Sequence, residues 1–373
     1  MTEEKIVLYG ASGYTGKEVA RILARRQIPF VAAGRNGERL KAQLQALPEL
    51  RDADYRVEQV EHEEAALAKL LKGASVVHNL VGPYMQLGEP VVRAALASGC
   101  HYLDATGEQD WMLHLRKTYA GAFAEKGLIL APATASMWTS GALIAELALE
   151  TPGLDSLDIL YTLQGVPSVS STLSFMRMCC QPQYYLQNNA LVSWPPAASV
   201  NVAPPGLHRV LKAVPWSGGG ESVWFADDPR VRNCSTLVTF HFQQLMDLVT
   251  ERMREFNDQY KDRPSAEQEA ATNAWAMEIA PQGEPLREDW NVHRNLFSVH
   301  ARGTLASRSI ALWGVTGYVM TAGIGVAAID AILSGRADAS GFVPAVKIVG
   351  ARRLLAELQA EGVYGKPVDL IRT

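Results

Sequence analysis

With 373 residues the chain is too long for one small module, and at about 150 residues per domain it predicts two domains, with one large domain plus an insertion as the alternative. Apolar residues make up 48% and charged residues 20%, a balance that excludes intrinsic disorder and collagen-like or mucin-like architectures and provides for a buried core. Lys plus Arg is 35 against 39 for Asp plus Glu, a formal charge of −4, and no long basic run offsets it, so nucleic acid is not an expected partner.

The N-terminus reads Met-Thr-Glu-Glu-Lys and then enters a short apolar run from Ile6 to Tyr9, too acidic and too short for a signal peptide. From there to about Leu130, short β-branched runs alternate with helical patterns. Strands are predicted over Ile6 to Tyr9, Phe30 to Ala33, Tyr55 to Val60, Ser75 to Leu80, His101 to Asp104 and Leu128 to Ala131. Helices are predicted near Lys17 to Arg26, Glu38 to Ala46, Glu64 to Leu71, Glu89 to Ser98 and Trp111 to Lys126. Repeated βαβ units of this kind predict an α/β fold with a Rossmann-type, doubly wound parallel sheet.

Past about Glu150 the rhythm changes. Prolines from Pro152 to Pro215 punctuate short alternating stretches such as Leu157 to Leu163 and Ser222 to Phe225, which predicts a mixed, largely antiparallel second domain of α+β type. One helix is expected from Thr239 to Gln259, with Phe242, Leu245, Met246, Val249, Met253 and Phe256 as its core stripe. Arg263 to Asp289 is polar and reads as a surface excursion. Ile310 to Leu333 is low in charge but interrupted by Gly314, Thr316, Gly317, Gly323, Gly325 and Asp330, so it predicts a strand or turn into a buried helix and not a membrane span. Cys100, Cys179, Cys180 and Cys234 show neither CxxC nor framework spacing, which fits a reducing, cytoplasmic setting and offers neither a disulfide scaffold nor a metal site.

The strongest chemical signal is Gly10-Ala11-Ser12-Gly13-Tyr14-Thr15-Gly16, placed between the first strand and the first helix. Glycines at such a turn let the backbone approach a pyrophosphate, and the helix N-terminus offers free N–H groups and a positive dipole end. At the end of the second strand, Ala33-Gly34-Arg35-Asn36 supplies a guanidinium where an NAD-binding protein places a carboxylate. Arg35 suits a 2′-phosphate, which favours NADP(H) over NAD. After the fourth strand, Asn79-Leu80-Val81-Gly82-Pro83-Tyr84 lies at the sheet edge where a nicotinamide would sit, and Tyr84 serves either as proton donor or as a packing lid. Tyr102 and Asp104 share a strand face and point either into the same crevice or into a hydrogen-bonded loop with Thr106, Gly107 and Glu108.

These motifs together, GASGYTG at 10 to 16, AGRN at 33 to 36, HNLVGPY at 78 to 84 and HYLDATGE at 101 to 108, resemble the saccharopine dehydrogenase-like NADP-binding family. A weaker likeness runs from Gly317-Tyr318 to Gly341-Phe342-Val343-Pro344. The resemblance implies NADP-dependent reduction of imines, as in saccharopine reductase, or of conjugated alkenes, as in the trans-acting enoyl reductases. It implies nucleotide contacts at Gly10, Ser12, Gly13, Tyr14, Thr15, Gly16, Arg35, Val81 and Gly82, to which the loop position adds Asn79 and Pro83. It also implies that 320–373 joins 1–135 as the NADP-binding domain, leaving 136–319 as an α+β substrate or dimerisation domain. The chain departs from the family pattern at Ala131 to Trp138.

The expected function is a cytoplasmic NADPH-dependent reductase that moves a hydride to a C=C, C=N or C=O bond of an apolar or aromatic small molecule held between the domains. Phe175, Met176, Met178, Tyr184, Tyr185, Trp194, Trp216 and Trp224 suit such a substrate, or pack the core. Tyr84, Tyr184 and Tyr185 are the candidate proton donors. A homodimer is an allowed assembly. A hydrolase finds no GxSxG or HExxH motif, and a catalytically silent nucleotide-binding sensor or scaffold is the rival reading.

Overall fold

The computed structural model describes residues 5–282 and 294–372. Numbered along the chain, the strands are β1 Lys5–Tyr9, β2 Phe30–Gly34, β3 Tyr55–Gln59, β4 Ala74–Asn79, β5 His101–Asp104, β6 Ile129–Ala131, β7 Ser156–Leu163, β8 Tyr184–Gln187, β9 Ala190–Ser193, β10 Val200–Val202, β11 Leu211–Ala213, β12 Asn233–Phe240, β13 Asn295–Arg302, β14 Ser307–Gly314, β15 Gly341–Phe342 and β16 Val368–Arg372. The chain divides into two compact units.

The first unit comprises residues up to Thr106, His114–Thr139 and Tyr318–Leu358. Its sheet has the order β15-β6-β5-β4-β1-β2-β3, and its strand pairs are parallel. Strands covered on both faces read as continuous apolar runs, and β2 is buried at all five positions. Because β1 pairs with β2 on one side and β4 on the other, the winding reverses there. Such a switch point opens a crevice at the carboxyl ends of the two strands.

The six expected strands are present, and a seventh, β15, joins the edge through Gly341↔Ile129 and Phe342↔Leu130. The single helix expected over Trp111 to Lys126 is two, Gln109–Thr118 and Ala120–Glu125. The helix Gly317–Leu333 is buried along most of its length, and among the described residues no helix is long and apolar enough to cross a membrane. The reach of the C-terminal segment also differs from expectation. Residues 318–358 lie in the first unit, but Gln359–Thr373 belongs to the second, because β16 takes its backbone hydrogen bonds from β14.

The second unit comprises Gly107–Leu113, Ser140–Gly317 and Gln359–Thr373. Its seven-stranded sheet has the order β16-β14-β13-β7-β12-β8-β9. The β7–β12 pair is parallel and the others are antiparallel, giving the expected mixed sheet. Leu157, Ile159, Tyr161, Phe297 and Val299 are buried, with Tyr161 edge-on to Phe297 at 5.2 Å. Ser222 to Phe225 forms part of a short helix, Glu221–Phe225, and not a strand. The long helix spans Gln243–Gln259, since Thr239 and Phe240 extend β12. Its stripe buries Met246, Val249, Met253 and Phe256, while Phe242 ahead of it is 65% exposed. Within the expected surface excursion, Ser265–Ile279 is a helix, and 283–289 lie outside the described residues.

Candidate functional site

β1 ends at Tyr9, and the chain turns at once through Gly10 into the helix Tyr14–Arg25, with Gly13 as its N-cap residue. Gly10 adopts φ +89°, a conformation open to glycine and costly for side chains. Its amide donates to Ala33 O at 2.9 Å, and its carbonyl accepts from Gly13 N at 3.0 Å. A Cβ on Gly16 would stand 2.5 Å from Gly10 O and 2.7 Å from Ala11 Cα, so only glycine lets the helix sit this close to the turn. Gly13, by contrast, is exposed, and its nearest neighbour to a Cβ would be Gly10 O at 3.3 Å. First-turn amides of a helix have no intrahelical acceptor. The turn therefore presents an exposed glycine and the N-terminal amides at the switch point, the features a dinucleotide pyrophosphate requires. Ser12, Tyr14 and Thr15 are partly exposed around it, and the ring of Tyr14 packs edge-on against Tyr318 at 4.7 Å.

On the adjacent strand, Arg35 follows β2 and is exposed. It makes no ion pair or hydrogen bond among the described residues, and its positive charge bears on Tyr9 and His62. The Tyr9 hydroxyl lies 2.8 Å from His62 Nδ1. Burial, opposed by the Arg35 charge, pushes the Tyr9 phenol up to about 12. Burial together with Arg35 lowers His62.

The loop after β4 is the other wall of the crevice. A Cβ on Gly10 would stand 2.8 Å from Val81 Cγ2 and 3.1 Å from Leu80, so the two loops touch. Asn79 is fully buried, with its Oδ1 accepting from Val81 N at 3.1 Å and its Nδ2 donating to the Tyr102 hydroxyl at 3.1 Å. Tyr102 in turn donates to Asp104 Oδ2 at 3.0 Å. Asp104 Oδ1 accepts from Thr106 N at 3.0 Å and Ala133 N at 2.9 Å. Tyr102 and Asp104 thus face a hydrogen-bonded interior and not an open crevice. Burial drives the Tyr102 phenol well above its ordinary range. Val81 and Gly82 are partly exposed, whereas Pro83 and Tyr84 are buried. The Tyr84 hydroxyl lies 3.5 Å from Asn79 O.

The segment Ala131 to Trp138 packs beside the same aspartate, both at its carboxylate, through Ala133 N, and at its backbone. Thr134 N donates to Asp104 O at 2.8 Å, and the Thr139 hydroxyl donates to Ala133 O at 2.9 Å. Ser136 N donates to the Thr321 hydroxyl at 3.0 Å. The strand residue His78 is buried, with neither ring nitrogen hydrogen-bonded among the described residues, and burial lowers it to about 4. Gly325 makes room for its ring, since a Cβ there would stand 2.5 Å from His78 Cε1.

Tyr184 and Tyr185 belong to the second unit. Tyr185 packs on Trp194 at 4.6 Å, and the Tyr184 backbone is clamped by Gln109, whose Oε1 accepts its N–H at 2.7 Å while Nε2 donates to its carbonyl at 2.8 Å. Glu108 is fully buried, accepting from Arg177 at 3.0 Å and Ser174 at 2.8 Å. Of the large side chains proposed for substrate, Phe175, Met176, Met178, Trp216 and Trp224 are buried.

The second unit also holds a polar cluster that the sequence did not single out. Glu221 is fully buried. Its carboxyl accepts from the Tyr161 hydroxyl at 2.7 Å and the Thr236 hydroxyl at 3.1 Å, and Tyr161 accepts from Gly141 N at 2.6 Å. Burial raises Glu221 to about 7. A lone Glu following three glycines carries no motif, so only the packing identifies it.

Residues 6–128 match the model described as the saccharopine dehydrogenase NADP binding domain, and residues 139–373 match a family of unknown function, DUF5938. The chain is 34% identical over 139 residues to a mouse saccharopine dehydrogenase-like oxidoreductase (Mus musculus), covering 34% of this chain and 32% of that protein. It is 31% identical over 141 residues to a lipid droplet localized protein of Caenorhabditis elegans, covering 36% and 33%. It is 35% identical over 127 residues to a putative trans-acting enoyl reductase of Mycobacterium tuberculosis, covering 34% and 30%. The matched stretch thus spans about a third of the length of these relatives. A metagenomic short-chain oxidoreductase in complex with NADP aligns with a TM-score of 0.29 at 15% identity, over 35% of this chain and 81% of that one. The chain belongs to the DUF5938 family and carries ahead of that region an NADP-binding domain of the saccharopine dehydrogenase type.

Proposed function

We propose that the protein is an NADPH-dependent reductase that delivers hydride to a C=C, C=N or C=O bond of an apolar small molecule. The observation that carries this reading is the glycine turn at the switch point, where Gly10 at φ +89° and the tightly seated Gly16 leave Gly13 and the helix N-terminus open to an anion. In this reading Gly10, Ser12, Gly13, Tyr14, Thr15 and Gly16 hold the pyrophosphate, and Arg35 holds the 2′-phosphate that separates NADP from NAD. Val81, Gly82 and Pro83 form the wall beside the reacting ring, with Asn79 shaping that wall from behind. Bound NADPH supplies the hydride. Tyr84 is the first candidate to hold the proton, at its hydroxyl, with Tyr184 and Tyr185 as alternatives.

The cytoplasm is the proposed setting, supported by four buried cysteines with no disulfide among the described residues. The burial of Tyr84, whose hydroxyl faces a backbone carbonyl, favours a second reading, a nucleotide-binding sensor without catalysis. NADPH oxidation measured against a panel of enones and cyclic imines separates the two. Turnover with any member supports the reductase. Tight NADPH binding without turnover across the panel supports the sensor.

A further inference from the structure

The hydrogen bonds behind the crevice have a direction, and that direction is set at one end. Asp104 is acceptor-only when ionised. With Oδ1 taken by two backbone amides, Oδ2 requires Tyr102 to donate its single proton. The phenol oxygen is then left as an acceptor, which draws the NH₂ of Asn79 toward it. The carbonyl end of the Asn79 amide therefore faces Val81 N, the residue that touches Gly10.

We propose that Asp104 and Tyr102 are positioning residues: acting through Asn79, they fix the Val81–Gly82 loop in the conformation that receives the nicotinamide half of the cofactor. The proposal rests on the NADP reading above. Asp104, Tyr102 and Asn79 are fully buried, so they act through the loop and not by contact with the ligand. The phenol stays protonated at all working pH values because burial holds it well above its ordinary range.

The polarity of this relay makes it testable. In Asp104→Asn, the side-chain oxygen keeps the two amides and its NH₂ faces Tyr102. The phenol must then accept and send its proton to Asn79, whose amide flips and sets NH₂ against Val81 N. Two donors then face each other at the loop. A second change, Asn79→Asp, supplies acceptors to both Val81 N and the reversed phenol, and the double variant carries the same net charge as the wild type. The experiment is titration calorimetry of NADPH and of adenosine 2′,5′-bisphosphate, which lacks the nicotinamide, with NADPH emission as a second readout.

Asp104→Asn should weaken NADPH about tenfold or more, the cost of one unsatisfied buried donor. It should leave adenosine 2′,5′-bisphosphate within about twofold, below that cost, and the Asn79→Asp/Asp104→Asn pair should recover NADPH affinity and emission. NADPH affinity unchanged in Asp104→Asn, an equal loss for both ligands, or no recovery in the pair overturns the proposal. If Asp104→Asn does not fold, the pair and Tyr102→Phe decide by the same comparison of ligands. A wild-type protein that binds neither ligand overturns the NADP reading itself, an outcome distinct from a binding wild type with an indifferent relay.

Discussion

Gly10 and Val81 meet at the ends of neighbouring parallel strands so closely that a single added carbon on Gly10 would lie 2.8 Å from Val81 Cγ2. The turn after β1 and the loop after β4 are therefore packed against each other at this point. Not every glycine of the turn shares this constraint.

Gly16→Ala and Gly13→Val should behave oppositely. The methyl on Gly16 has backbone atoms at 2.5 and 2.7 Å, so the helix must shift, with a stability loss of about 1 to 3 kcal/mol typical of overpacking. Gly13 is exposed, and a Cβ there would meet only Gly10 O, at 3.3 Å, a contact relieved by a small shift, so Gly13→Val should fold with a smaller stability loss than Gly16→Ala and lose NADPH binding. Thermal melts and NADPH fluorescence on the two variants check this, and retained binding in a folded Gly13→Val removes the turn from the phosphate site.

Arg35→Ala should erase a preference for NADPH over NADH. Exposed and without an ion pair or hydrogen bond among the described residues, Arg35 has its guanidinium available to the extra phosphate. The loss should be about 1.5 to 3 kcal/mol in NADPH binding, the range for hydrogen bonds to charged groups, with NADH almost unaffected. Equal dissociation constants for the two cofactors in the wild type contradict this.

Tyr84 tests the chemistry. If its hydroxyl donates the proton, Tyr84→Phe should slow the chemical step by about 10²- to 10⁴-fold with cofactor affinity nearly constant. A packing lid predicts near-normal rates in Tyr84→Phe and weakened NADPH binding in Tyr84→Ala. Single-turnover NADPH oxidation in both variants distinguishes the roles, and a normal Tyr84→Phe transfers the proton to Tyr184, Tyr185 or solvent.

Glu221 gives the second unit a pH-dependent stability. Its carboxyl binds its proton more tightly folded, at about 7, than at the ordinary value of 4.5. The stabilisation is therefore complete below about pH 4.5 and is lost as pH rises through about 7. Glu221→Gln keeps the shape and can still accept from Tyr161 while donating to Thr236. Relative to this variant, the wild type should lose on the order of 3 kcal/mol between those limits. Denaturant melts of both proteins at pH 5 and pH 8 measure the difference, and parallel pH profiles remove Glu221 from the account.

The first sheet was legible because parallel strands covered on both faces are short β-branched runs, as in Phe30 to Ala33, and because glycines follow β1 directly. β15 was not legible: two residues, Gly341 and Phe342, hold no periodicity. Phe242 fits a helical apolar spacing yet precedes the helix and faces solvent, since spacing does not record where a strand such as β12 ends. Tyr102 and Asp104 were correctly placed on one face, but a sequence does not tell whether that face looks onto a ligand or onto Asn79. Glu221 was invisible because an isolated carboxylate reads as surface until the fold encloses it.

The strand β15 also bears on how the molecule is made. It pairs with β6, which precedes it by roughly 200 residues, and at the usual synthesis rate that stretch takes about 10 to 40 s to emerge from a ribosome. Until then the β6 side of the first sheet is an open template for the wrong strand. Residues 359–373 then return to the second unit, so the two units interlace along the chain and no single cut yields both intact.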